Sequence, residues 1–173
     1  TSGSVRQLFW NALTYGDDKF VGLAKSTNDG VAYSSDGINW TSADAASGTS
    51  DNIWTSVAYG DGKFVAVSNN GNDQVMYSTD AINWTSASAS AVNSWSGVTY
   101  GDDKFVAVAG EAGTKVMYST DAINWTSATP ATENSWESVV YGEDKFVAVA
   151  DFGTDRIMYS ADGINWASAV GQE

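Results

Sequence analysis

The chain has 173 residues, is 43% hydrophobic, and carries a formal net charge of −13 with no cysteine and no histidine. This composition fits one folded domain, excludes disulfides and thiolate metal sites, and lacks the side chain that most often acts as a general base or transition-metal ligand. Only eight lysines and arginines are present, and no apolar run approaches the ~20 residues of a membrane helix, so neither nucleic acid nor a membrane is expected as a partner.

Eight tryptophans mark a repeated unit along the chain. They fall into four pairs, Trp10/Trp40, Trp54/Trp84, Trp95/Trp125 and Trp136/Trp166. The second member of each pair recurs after 44, 41 and 41 residues, so a unit of roughly 41 residues occurs four times. A unit this short cannot bury its own apolar face, and the copies are therefore expected to pack against one another.

Each unit contains four short segments typical of β-strands, most clearly in the second unit. These segments are strand A (54–59), strand B (63–67), strand C (75–78) and strand D (82 to about 87). Asp61-Gly62 predicts a tight hairpin turn between strands A and B. The equivalent dipeptides are Asp17-Asp18, Asp102-Asp103 and Glu143-Asp144. No stretch shows the 3.6-residue period of an amphipathic helix.

Four strands in each unit of about 41 residues predict an all-β fold, a four-bladed β-propeller with four antiparallel strands per blade and no helices. The blades are expected at about 10–50, 54–94, 95–135 and 136–173, within a single domain that spans 1–173. Residues 1–9 are an N-terminal extension or an extra outer strand. The ring is expected to close through those residues or through packing of blade 4 on blade 1. We expect a monomer, and a larger ring formed by two chains stays open as the alternative.

A seven-residue turn with the pattern Ser-x-Asp-Gly/Ala-x-x-Trp joins strands C and D of each unit and begins at Ser34, Ser78, Ser119 and Ser160. This turn resembles the Asp-box, or BNR repeat, of sialidases and other propellers, with one residue fewer between the aspartate and the tryptophan. The broader unit is similar to the repeats of bacterial and phage propellers. The resemblance implies structural roles for eight turn residues: Asp36, Asp80, Asp121, Asp162, Trp40, Trp84, Trp125 and Trp166.

The two ends of the blades differ in how much the four copies vary. In an up-and-down sheet the A–B and C–D turns emerge on one face of the disc, and these turns are acidic and nearly invariant. The B–C loops and D–A linkers emerge on the other face and vary between copies. Because loops on a rigid scaffold are the usual place for recognition, we expect ligand contacts there. The candidate ligand-binding residues are Asn28, Asn70, Asn72, Glu111, Phe152 and Arg156.

These features favour a non-enzymatic recognition module, multivalent and lectin-like, that binds a glycan or a protein surface. The alternative is a structural propeller of a surface or phage appendage, and a glycosidase is the third possibility. Sialidases hold their substrate with an arginine cluster, whereas this chain has only Arg6 and Arg156. No catalytic residue, metal site or cofactor is therefore assigned.

Calcium is a lesser alternative, because the variable loops offer oxygen ligands. The acids concerned are Asp29, Asp73, Asp151 and Asp155. The lack of cysteine suggests an extracellular, cell-surface or virion location, and the cytoplasm stays open.

Overall fold

The computed structural model describes residues 8–25, 30–111 and 115–169, and these form a four-bladed β-propeller. Each blade is one four-stranded antiparallel sheet whose strands are hydrogen-bonded in chain order. The strands of blades 1 and 2 are β1 (Trp10–Gly16), β2 (Lys19–Ala24), β3 (Val31–Ser34), β4 (Thr41–Ala43), β5 (Trp54–Gly60), β6 (Lys63–Ser68), β7 (Val75–Ser78) and β8 (Thr85–Ala87). Those of blades 3 and 4 are β9 (Trp95–Gly101), β10 (Lys104–Ala109), β11 (Val116–Ser119), β12 (Thr126–Ala128), β13 (Ser135–Gly142), β14 (Lys145–Phe152), β15 (Ile157–Ser160) and β16 (Ala167–Ser168).

The predicted fold class is confirmed, and strands A, B and C of each blade lie where the sequence places them. Strand D is shorter than predicted, since β8 begins at Thr85 rather than at Ile82. Residues Ile82 and Asn83 belong instead to the turn, where their backbone N–H groups bind the Asp80 carboxylate. Residues 1–7 lie outside the described residues, and β1 begins at Trp10, after the proposed extension.

The A–B hairpins have the backbone conformation that their sequences predict. Both central residues of each turn have positive φ, for example 45° at Asp61 and 69° at Gly62. The turns without glycine place two acidic residues in this region, as at Asp102 (44°) and Asp103 (55°). Aspartate visits the left-handed region more readily than most residues, which makes it a workable substitute for glycine here.

Neighbouring blades pack face to face and bury apolar side chains between them. The face that packs on the preceding blade, here named the N-side face, carries Trp54, Phe64 and Met76 in blade 2. The opposite face, named the C-side face, carries Val65 and Val75 in blade 2 and packs on blade 3. The same pairing of a C-side with an N-side face recurs between blades 1 and 2, 2 and 3, and 3 and 4.

The first strand of each blade is the innermost strand. Strand β1 packs along β5, β5 along β9, and β9 along β13. Among the described residues no comparable packing joins β13 to β1. The expected closure of the ring by packing of blade 4 on blade 1 is therefore not seen, and a seam separates the two terminal blades.

Candidate functional site

The four Asp-box-like turns are held together by hydrogen bonds to a serine and an aspartate. In blade 2 the Ser78 hydroxyl donates to Asp80 Oδ1 (3.0 Å) and accepts the backbone N–H of Ala81 (2.9 Å). Asp80 Oδ1 also accepts the backbone N–H groups of Ile82 and Asn83 (2.8 Å each), while Oδ2 accepts the Asn83 side-chain amide (2.8 Å). The same set recurs at Asp36, Asp121 and Asp162.

These hydrogen bonds explain the electrostatics of the turn carboxylates. The backbone and side-chain N–H groups of Asn83, followed by the N–H of Ile82, hold the pKa of Asp80 well below its usual range. Asn39, through its side chain first, lowers the pKa of Asp36 in the same way. Carboxylates that stay ionised and saturated with donors serve to fix a turn, and they are poor candidates for proton transfer.

The tryptophan that closes each turn is tied to the same structure. Trp84 Nε1 donates to the carbonyl of Ala81 (3.2 Å), and the ring is almost fully buried in the core between blades 1 and 2. Trp40, Trp125 and Trp166 make the equivalent hydrogen bond. The invariant residues of this face therefore build the fold, which leaves the opposite face as the place to look for recognition.

A polar depression of about 460 Å³ lies on the variable face near the propeller axis, and we name it the axial depression. Every blade contributes to its lining. The lining residues are Asn11, Lys25, Thr55, Asn69, Ser94, Ser96, Gly110, Glu111, Ser135 and Glu137. This volume lies within the range of small-ligand pockets, and polar groups dominate the lining.

The innermost residues of the depression also join one blade to the next. The Asn11 side-chain amide donates to the Thr55 carbonyl (3.2 Å). The Thr55 hydroxyl donates to the Trp95 carbonyl (2.7 Å), and the Ser96 hydroxyl donates to the carbonyl of Trp136 (2.6 Å). Because these donors are engaged, their side chains are held in place and offer mainly acceptor oxygens to a ligand.

Three charged side chains in the lining differ from their equivalents in the other blades. Lys25, Glu111 and Glu137 are all exposed, so they are available to solvent and to a ligand. Glu137 occupies the position held by Asn11, Thr55 and Ser96 in the other blades. An ammonium and two carboxylates beside hydroxyl and amide groups can bind a polar molecule from several sides.

The predicted ligand-binding residues separate into different environments. Glu111 lines the axial depression. The Asn70 side chain instead accepts the Ile53 N–H (2.6 Å) and donates to the Asp51 carbonyl (2.7 Å), which fixes the linker before blade 2. Three others lie outside the lining and are exposed, and they are Asn72, Phe152 and Arg156. Asn28 lies outside the described residues.

Sequence reasoning missed the residues that follow the first tryptophan of each blade, and these residues form the inner ring of the depression. The residues are Asn11, Thr55, Ser96 and Glu137. A signal for them was present, since this position holds a different residue in all four copies although it lies inside a strand and directly follows an invariant tryptophan.

Within the described ranges, no cluster of three or more His, Cys, Asp or Glu side chains is arranged to hold a metal ion. Of the acids considered for calcium, Asp73 accepts a hydrogen bond from Ser88 (3.0 Å), and Asp29 lies outside the described residues. Nor do those ranges include a helix that could cross a membrane.

No protein-family model matches the chain, and no curated protein matches it in sequence. The resemblance of the turns to the Asp-box therefore rests on the turn residues themselves.

Solved structures share the fold. The computationally designed protein Ika4 superposes with a TM-score of 0.65 and 11% identity, over 91% of this chain and 93% of Ika4. The designed protein Ika8 gives a TM-score of 0.67 and 11% identity, over 92% of this chain and 48% of Ika8.

YCF48 from Cyanidioschyzon merolae gives a TM-score of 0.68 and 13% identity, over 99% of this chain and 59% of YCF48. A structure of YCF48 bound to D1 peptide gives a TM-score of 0.61 and 15% identity, over 92% of this chain and 52% of that one. The chain thus spans about half the length of Ika8 and of the YCF48 chains. At these identities the comparisons show the β-propeller fold and leave the function to the residues of the site.

Proposed function

We propose that this chain is a non-enzymatic recognition module that binds a saccharide in the axial depression. The observation that carries the proposal is the lining of this depression, to which all four blades contribute residues at positions where the copies differ. Most positions that build the propeller repeat from blade to blade. The inner ring does not repeat, although a purely structural ring would have no need of four different residues.

The lining chemistry suits a ligand rich in hydroxyl groups. The Glu111 and Glu137 carboxylates accept hydrogen bonds from sugar hydroxyls, and the Lys25 ammonium donates to ring or hydroxyl oxygens. The net charge of −13 repels a carboxylate, which favours a neutral or amino-bearing saccharide over a sialylated one. No aromatic side chain is among the lining residues, so hydrogen bonds rather than ring stacking supply the affinity.

The geometry of the depression changes the expected stoichiometry. The sequence suggests one weak site in each blade, whereas the lining residues from four blades surround a single space. One saccharide per propeller is therefore the proposed stoichiometry, and avidity would require several propellers side by side.

A glycan array with neutral, amino-bearing and sialylated probes, read in calcium and again in EDTA, tests the proposal. We expect saturable binding of neutral or amino-bearing probes in both conditions. Glu137→Ala and Lys25→Ala should each weaken binding by about tenfold, as the loss of one charged hydrogen bond would do. Glu133→Ala is the matched control, because Glu133 is an exposed acid on the same face that does not line the depression.

Other results would replace the proposal. The D1 peptide complex of YCF48 motivates a peptide array beside the glycan array, and binding of peptides without glycans would make the ligand a peptide. Release of product from aryl glycosides would make the chain a hydrolase. A blank in all three assays would support the structural alternative, which the open seam between blades 4 and 1 also favours.

A further inference from the structure

The two faces that border the seam are apolar and uncovered. On the N-side face of blade 1, Trp10 is 38% exposed, whereas its equivalents Trp54, Trp95 and Trp136 are at most 1% exposed. Leu13 on the same face is 63% exposed. The C-side face of blade 4 exposes Val140, Val149, Ile157 and Tyr159, each by 40% or more. Monomeric proteins rarely leave contiguous apolar patches of this kind in water.

The two uncovered faces are of the two kinds that pack against each other within the chain. A C-side face packs on an N-side face at three junctions within the chain. The fourth C-side face, on blade 4, and the fourth N-side face, on blade 1, each lack this partner. An N-side face fits the C-side face of blade 4, and a second copy of this chain presents one.

A glycine contact shows that the seam is open, and it also shows what would fill it. A Cβ placed on Gly60 would lie 1.9 Å from Tyr100 Cγ, because the tyrosine of the following blade packs directly on the glycine. Gly16 and Gly101 meet Tyr59 and Tyr141 in the same way, each at 2.0 Å from the Cγ atom.

At Gly142 of blade 4 the same Cβ would meet nothing within 4 Å. The tyrosine that fits this glycine by repeat position is Tyr15 of blade 1, and Tyr15 is 55% exposed.

A hydrogen bond from a buried side chain to the following linker also recurs at junctions within the chain. The buried Gln74 side chain donates to the Asn93 carbonyl in the linker before blade 3, and buried Lys115 donates to the Asn134 carbonyl (2.7 Å) before blade 4. The equivalent residue of blade 4 is Arg156, which is exposed. By the same register the guanidinium of Arg156 would reach the carbonyl of Leu8, two residues before Trp10 in a following blade 1.

The two seam faces also differ in side-chain size from the equivalent faces of the other blades. Blade 1 has Gly22 and Ala32 where blade 2 has Ala66 and Met76, and the face is hollowed into a cavity of about 420 Å³ between Trp10 and Trp40. Blade 4 departs in the opposite direction. It has Val140 where blade 2 has Ala58, and Ile157 where the other three blades have valine. Side-chain size is therefore larger on the face of blade 4 and smaller on the face of blade 1.

We propose that the C-side face of blade 4 binds the N-side face of blade 1 of a second copy, and that two chains close an eight-bladed ring. Two identical junctions, one at each seam, complete the ring by a two-fold axis. Each new junction repeats the pairing of faces seen at the three junctions within the chain. This chain superposes on 48% of Ika8, a propeller chain about twice as long.

The ring also enlarges the axial depression. Glu137 of one chain would come next to Asn11 of the other, as Asn11 is next to Thr55 within the chain. The two proposals stay separable, because assembly is read from mass and saccharide binding from the array.

Analytical ultracentrifugation across the micromolar range tests the ring. We expect a species of twice the 18.2 kDa chain mass. Gly142→Ala should raise the dimer dissociation constant by about tenfold or more, because its Cβ would clash with Tyr15 of the second chain. The thermal stability of the Gly142→Ala monomer should stay unchanged. Val140→Glu should abolish the dimer by placing a charge in the apolar junction.

Val92→Glu is the control, since Val92 is 73% exposed and belongs to none of the blade cores. This variant should dimerise like the wild type. A wild-type mass of 18.2 kDa at every concentration would overturn the proposal in favour of a monomer with free or internally closed seam faces. Larger head-to-tail oligomers would overturn the closed ring, and so would a Gly142→Ala chain that dimerises as tightly as the wild type.

Discussion

The ammonium of Lys115 is buried, with 5% of the residue exposed, and it donates to the backbone carbonyl of Asn134 at 2.7 Å. The bond joins blade 3 to the linker that leads into blade 4. In blade 2 the same position holds Gln74, whose amide donates to the Asn93 carbonyl while its oxygen accepts the Asn93 N–H (2.7 Å). Both side chains provide a hydrogen-bond partner for a buried peptide group of the linker.

This equivalence predicts the outcome of a pair of substitutions. Lys115→Leu leaves the Asn134 carbonyl buried with one partner fewer, and we expect the free energy of unfolding to fall by about 1–3 kcal/mol. Lys115→Gln copies blade 2 and should cost less than about 1 kcal/mol. Urea denaturation of both variants checks the prediction, and equal losses for the two would show that the hydrogen bond is not what matters.

The contact of Tyr100 with Gly60 predicts that a side chain larger than that of glycine at position 60 destabilises the junction between blades 2 and 3. Gly60→Ala would place a methyl group 1.9 Å from the Tyr100 ring, so the two blades must move apart. We expect a loss of about 1–3 kcal/mol, which is typical of overpacked cores, together with a lower melting temperature. Gly142→Ala is the matched control at protein concentrations too low for dimerisation, because no atom of the chain lies within 4 Å of its Cβ. A Gly60→Ala variant as stable as Gly142→Ala would contradict the packing.

The turn aspartates predict how stability depends on pH. Hydrogen bonds from Asn83 and Ile82 lower the pKa of Asp80 in the folded chain relative to the unfolded chain, where it is about 3.9. The folded state therefore binds fewer protons. The stabilisation is complete above that unfolded value and is lost as the pH falls towards the folded pKa. Because four turns share this geometry, we expect the free energy of unfolding to drop steeply below about pH 4.

Asparagine substitutions distinguish the contribution of this turn to acid sensitivity from that of the other carboxylates. Asp80→Asn removes the charge and replaces one acceptor oxygen, so it should lower stability at neutral pH and flatten the acid limb of the profile. Asp61→Asn is the control, since Asp61 makes an ion pair with Lys63 (3.1 Å) at the surface and asparagine tolerates the positive φ of that turn. Denaturant unfolding from pH 2.5 to 7 would show the difference, and identical profiles for the two variants would remove the turn from the explanation.

The repeat made most of the fold predictable. Tryptophan spacing, strand composition and the Asp-Gly or Asp-Asp turns each depend on neighbours within one blade, and local sequence carries that information. Strand D was placed too early because Ile82 and Trp84 look like strand residues. The N–H groups of Ile82 and Asn83 donate to the Asp80 carboxylate instead of pairing with a neighbouring strand. Strand propensities do not account for such side-chain hydrogen bonds.

The site and the seam were harder to predict because they depend on contacts between blades. Asn11 and Glu137 are 126 positions apart in the sequence, and only the curvature of the propeller brings them into one depression. Whether blade 4 meets blade 1 depends on the angle at each junction, which no single repeat encodes. The substitutions at Gly22 and Ala32 were visible in the sequence, but their meaning required knowing which face of blade 1 they occupy.

Ionic strength provides a last prediction, because the proposed ring joins two strongly acidic chains. Each chain carries a net charge of −13, so repulsion opposes an association that apolar burial drives. Raising the salt concentration from 0.01 M to 0.15 M shortens the Debye length from about 30 Å to about 8 Å and screens that repulsion. We expect the dimer dissociation constant to fall over this range, measured by analytical ultracentrifugation at fixed pH. Val92→Glu should follow the same trend as the wild type, since its position lies outside the blade cores. A dimer that dissociates as salt rises would instead mean that ion pairs, and not the apolar faces of blades 1 and 4, hold the two chains together.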